Sequence, residues 1–96
     1  MAYARKVDTN HAAIRDGLRG VFGEKAVKDV SMYPRLGFDL IAYARGRVMF
    51  FEVKPPKKVT QLTTSEQDAR DRFSPVWRVV TTLEEALEAL QEAPAP

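Results

Sequence analysis

With 96 residues, no cysteine and one histidine, the chain has room for one small domain (1–96) and cannot build a disulfide scaffold, a thiolate metal site or a multi-histidine zinc site. Apolar residues make up 45%, yet no apolar run reaches bilayer length and the N-terminus lacks a signal-peptide core, so a soluble, cytoplasmic protein with no membrane partner is expected. The net charge of +2 is uneven: residues 1–60 hold 12 Lys and Arg against 6 Asp and Glu, whereas residues 61–96 hold 3 against 7, leaving a positive excess that suits a polyanion as well as plain solubility.

The first element is a helix over 9–22. Ile14, Leu18, Val21 and Phe22 form its apolar stripe, Asp8 or Thr9 caps it, and Gly23 ends it. A strand over 26–33 is expected next, stopped by Pro34. A second strand runs from Asp39 to Ala44, a tight turn falls at Arg45-Gly46, and a third, very apolar strand runs from Arg47 to Lys54 before Pro55-Pro56. After a basic loop over 57–62, a mostly polar helix starts near Thr63 or Thr64, where Glu66 and Gln67 offer two overlapping capping boxes. A fourth strand over 76–81 follows. Thr82 with Glu85 then opens a last helix with Leu83, Ala86, Leu87 and Leu90 as its stripe, and the tail from Ala93 to Pro96 is expected to fray. The order α-β-β-β-α-β-α implies an α/β (α+β) domain. Three strands form an antiparallel meander, and a fourth, entered through a helix, joins them in parallel as a mixed sheet.

The chemistry gathers at the end of the third strand. Side-chain alternation puts Glu52 and Lys54 on one face and Val53 on the other. Counting back from the turn at 45–46 sets Asp39 opposite residues 52 to 53, so two carboxylates and a lysine meet at one sheet edge. Charges so placed on an apolar strand are costly unless paired or bound to something. The combination suits metal-assisted phosphodiester hydrolysis. Oxygen ligands take Mg²⁺, the ion neutralises phosphate charge and activates water, and the lysine orients that water or stabilises the transition state. A surface ion pair is the plain alternative for the triplet taken alone.

Asp39 followed by Glu52-x-Lys54 in this element order resembles the PD-(D/E)XK nucleases. Lys6-Val7-Asp8-x-Asn10-His11, Gly37-x-Asp39-Leu40-Ile41, Arg45-Gly46-Arg47, Leu62-Thr63-x-x-Glu66-Gln67 and Glu85-Ala86-Leu87 extend the resemblance over about residues 6–88. Together they resemble the small VRR-NUC-type proteins of phages and bacteria and the archaeal-type Holliday-junction resolvases. The resemblance implies Asp39, Glu52 and the Val53 carbonyl as metal ligands, Lys54 as the catalytic lysine, and Mg²⁺ (with Mn²⁺ able to substitute) as the cofactor. Where such proteins often carry a first-helix Glu, this chain offers Asn10 and His11, and an Asn can hold a metal-bound water without adding charge. Phe38 replaces the Pro that usually precedes the motif Asp, a departure in backbone shape rather than charge.

Several other residues have a plain and a functional reading. His11 is a solvated first-turn residue or a site neighbour, and Gln67 is a capping partner or an active-site residue. Lys57 and Lys58 keep a loop soluble or contact phosphate, and Arg35 can reach the same DNA backbone. Phe73 and Trp77 read as core, and Tyr33 and Tyr43 as half-buried strand residues. The function expected is a Mg²⁺-dependent endonuclease acting on branched or double-stranded DNA in a bacterial or phage-infected cell. A Holliday-junction resolvase working as a homodimer leads, because a minimal core without an added DNA-binding domain gains specificity from shape and symmetry. A flap or repair nuclease is the nearest alternative. A non-catalytic nucleic-acid-binding module of the same fold and a small structural protein are the others.

Overall fold

The structure, a computed structural model, describes residues 9–94. Helix α1 (Thr9–Phe22) is followed by strands β1 (Val27–Asp29), β2 (Leu40–Ala44) and β3 (Arg47–Val53), helix α2 (Thr64–Phe73), strand β4 (Trp77–Val80) and helix α3 (Leu83–Glu92). The expected α/β architecture is present: a four-stranded sheet in the order β1-β2-β3-β4, with the first two pairings antiparallel and β3–β4 parallel. The Lys6-Val7-Asp8 segment and the expected cap at Asp8 lie outside the described residues. No described helix is long and apolar enough to cross a membrane.

The sheet is covered on both faces, and strand alternation decides what each face buries. One face presents Leu40, Ala42, Met49, Phe51, Val53 and Val80 to Ile14 and Leu18 of α1 and to Ala86, Ala89 and Leu90 of α3. Full burial of a side chain such as Phe51, Met49 or Leu40 stabilises the fold by about 1.5–3 kcal/mol. The other face carries Val30, Phe38 and Trp77 against Ala69 of α2, with Ile41, Phe50, Phe73 and Val79 around them. Phe38, Phe50 and Phe73 form an aromatic cluster there, with ring centroids 4.9–5.8 Å apart.

Several expected boundaries shift for identifiable reasons. Strand β1 is shorter than the 26–33 reading because the Asp29 carboxylate accepts hydrogen bonds from the Ser31 amide and hydroxyl, which turns the chain out of the sheet. At α2 the competing capping boxes resolve in favour of Thr63: its hydroxyl accepts from the Glu66 amide while the Glu66 carboxylate accepts from the Thr63 amide. At α3 only half of the expected box forms, because Glu85 binds the Thr81 amide and hydroxyl instead of Thr82. Ala93, expected in a frayed tail, is buried with the α1–α3 cluster. Tyr33 and Tyr43 are exposed rather than half-buried. The Arg45-Gly46 turn is as expected, with positive φ at both residues.

Candidate functional site

Asp39, Glu52 and Lys54 come together at one end of the sheet, on the α2 face. The β2–β3 register pairs Leu40 with Phe51, and its continuation sets Asp39 across from Glu52. Asp39 is held along its whole length. Its amide donates to the Phe51 carbonyl (2.7 Å), its carbonyl accepts from the Val30 amide (2.8 Å), and its Oδ2 accepts from the Val53 amide (2.9 Å). N–H and C=O of an extended residue point to the same strand edge, so the Val53 carbonyl is directed to the side on which Asp39 lies. The Val53 side chain goes the other way, into the α1–α3 core.

This position depends on Gly37. Its φ of 81° lies in the left-handed region, and a Cβ there would fall 2.2 Å from the Ser65 carbonyl oxygen and 2.7 Å from Ala69 Cβ. The chain entering β2 thus lies directly against α2, and the Trp77 indole N–H donates to the Gly37 carbonyl at 2.9 Å. Phe38, which stands where a proline was the family expectation, is a core residue of the α2 face.

The cleft has a volume of about 230 Å³ and is lined by Pro34, Arg35, Phe38, Asp39, Glu52, Thr63, Ser65 and Glu66. Glu66 is the residue the sequence reading passed over. It is buried, and its Oε1 lies 2.9 Å from Lys54 Nζ, closer than the 3.9 Å between Lys54 Nζ and Glu52 Oε2. A signal was available: Glu66, Ala69 and Phe73 share the α2 stripe that faces the sheet, so an acid there points inward.

Burial pushes the Glu52 carboxyl up, to about 9, and the charges of Asp39 and then Glu66 push in the same direction against the opposing Lys54. A hydrogen bond between the Glu52 and Asp39 carboxyls adds to the same upward push, since it favours the protonated form. Fully ionised, three carboxylates and one ammonium carry −3 and +1, a net −2 that one divalent cation neutralises. Among the described residues no three Asp, Glu, His or Cys side chains gather as a cluster able to hold a metal by themselves. Asp39 and Glu52 are the two carboxylates that line the cleft together with Glu66, and Mg²⁺ is an ion that takes few protein carboxylates and completes its shell with carbonyl oxygen, water and substrate phosphate.

The remaining expected residues are dispersed. The Asn10 Nδ2 donates to the carbonyls of Lys54 (3.1 Å) and Thr81 (2.9 Å), tying α1 to the ends of β3 and β4. Its Oδ1, the atom left for a water, is buried with no hydrogen-bond partner. His11 is not solvated: it is buried and its Nε2 lies 3.1 Å from Asp29 Oδ2. Burial raises the Asp29 carboxyl, but hydrogen bonds from Ser31, His11 and Arg15 outweigh it and hold the group well below the usual carboxylate range. Gln67 is exposed and its amide donates to the Leu62 carbonyl. Arg35 lines the cleft, whereas Lys57 and Lys58 stand exposed in the turn after β3. No family model matches the chain, and neither a curated protein nor a solved structure does.

Proposed function

We infer that this protein is a Mg²⁺-dependent DNA endonuclease of the PD-(D/E)XK type. The observation that carries the reading is the meeting of Asp39 and Glu52 across adjacent strands, both lining one cleft, with Lys54 Nζ 3.9 Å from Glu52 Oε2. Burial and the Asp39 charge push the Glu52 carboxyl up, and a dication between the two carboxylates would relieve the same repulsion.

Asp39, Glu52 and the Val53 carbonyl would hold Mg²⁺, which supplies charge neutralisation at a scissile phosphate and a more acidic water. The protein does the rest. The Val53 amide fixes one oxygen of the Asp39 carboxylate, and Glu66, which lines the cleft, holds the Lys54 ammonium at 2.9 Å. From there Lys54 orients a water for attack on phosphorus and stabilises the charge that develops as the leaving P–O bond breaks. Arg35 at the rim and the Lys57–Lys58 turn offer positive charge to the flanking phosphates.

The test is incubation with a four-way junction, a flap, a duplex and a single strand, with Mg²⁺, with Mn²⁺ and with EDTA. Metal-dependent cleavage by the wild type is expected, and its loss with retained binding in Asp39→Asn. Binding without cleavage in either metal would overturn the enzyme reading in favour of a binding module. Within the enzyme reading, paired symmetric cuts by a sedimenting dimer identify a Holliday-junction resolvase. Single nicks by a monomer identify a flap or repair nuclease.

A further inference from the structure

The segment between β1 and β2 exposes three large apolar side chains within five residues: Met32, Tyr33 and Leu36, at 60%, 61% and 42% exposure. The segment is nonetheless tightly built. The Tyr33 amide donates to Val30, the Leu36 amide to Tyr33, and the Gly37 amide to Pro34, closing a short 3-10 turn over Pro34–Leu36. One end is tied by the Asp29–Ser31 hydrogen bonds and the other by Trp77 on Gly37. Its backbone therefore presents the apolar groups outward in a fixed arrangement. Tyr33 and Leu36 flank the turn, joined by the hydrogen bond from the Leu36 amide to the Tyr33 carbonyl. Pro34 and Arg35, between them, line the carboxylate cleft.

We propose that Met32, Tyr33 and Leu36 form a stacking ridge for an unpaired nucleobase of the DNA strand whose phosphate enters the cleft. This rests on the endonuclease reading and names what that site selects. An exposed aromatic on a hydrogen-bonded backbone, two residues from an arginine that lines the cleft, has the two features that hold single-stranded DNA, a π-face for the base and positive charge for its backbone. Bases inside a duplex are covered on both faces by their neighbours and cannot use the ridge. An unpaired base at a flap, a gap or an opened branch point can. The ridge thus gives this domain a way to prefer discontinuous DNA.

The test compares binding of a flapped duplex and a continuous duplex, with 2-aminopurine at the first unpaired position of the flap. All proteins carry Glu52→Gln and the buffer contains EDTA, so the strands stay intact. Tyr33→Ala should weaken flap binding by about 5- to 100-fold, remove the quenching of 2-aminopurine, and leave duplex binding within about twofold. Tyr33→Phe should restore both signals. Tyr33 is exposed, so unchanged far-UV circular dichroism is expected and is checked first. Equal loss on both DNAs, or no loss on either, overturns the ridge while leaving the nuclease reading to its own cleavage test. A Tyr33→Ala change in sedimentation equilibrium overturns it in favour of a contact between copies. If the Tyr33-bearing protein binds neither DNA, the ridge and the endonuclease reading both fall.

Discussion

Replacing Glu52 by Gln should stabilise the metal-free protein at neutral pH while removing a metal ligand. Burial, with the charges of Asp39 and Glu66, pushes the Glu52 carboxyl up to about 9 in the folded protein from the 4.5 that an unfolded chain restores. Below 4.5 both states are protonated and Glu52 costs nothing. As pH rises above 4.5 the unfolded chain ionises and the folded chain does not, so stability falls until Glu52 ionises in the fold near 9. At pH 7 the loss spans about 2.5 pH units, or about 3 kcal/mol at 1.36 kcal/mol per unit. Gln is neutral, has nearly the same shape, and still donates a hydrogen bond to Asp39. The variant should therefore recover most of that loss, a rise in melting temperature on the order of 10 °C for a domain of this size. Urea denaturation in EDTA at pH 5, 7 and 8.5 measures it: the wild type should weaken steadily and the variant should stay nearly flat. Mg²⁺ should then stabilise the wild type, by about 1.4 kcal/mol at tenfold its dissociation constant, and not the variant. A Glu52→Gln protein less stable than wild type at pH 7 in EDTA, with a wild-type profile flat from pH 5 to 8.5, would refute the strained carboxyl pair.

Gly37→Ala should destabilise the fold by about 2–4 kcal/mol, since it combines a positive φ with a Cβ driven into the α2 backbone, and urea denaturation reads this directly. Replacing Lys57 and Lys58 together by Ala should flatten the slope of log K against log salt for DNA binding by about 1–2, and an unchanged slope assigns that turn to solvent.

The sequence by itself determined the element order, the hairpin at Arg45-Gly46 and the meeting of Asp39 with Glu52. These follow from local rules: the period of apolar residues, the turn chemistry of glycine, and strand register counted from a tight turn. It also separated the face of Glu52 and Lys54 from that of Val53, because alternation in a strand is a property of the backbone. The contacts of Glu66, Asn10 and His11 and the exposure of Tyr33 were decided only by the tertiary structure. Glu66 looked complete as a capping partner until α2 packed across the sheet and brought it to 2.9 Å from Lys54. Asn10 and His11 sit together at the start of α1, yet one reaches the carbonyls of Lys54 and Thr81 and the other Asp29. Such contacts join residues from 12 to 71 positions apart, and no periodicity or spacing rule extends across that distance. The burial that raises the Glu52 carboxyl belongs to the same category, since it depends on how closely Gly37 lets the start of β2 approach α2.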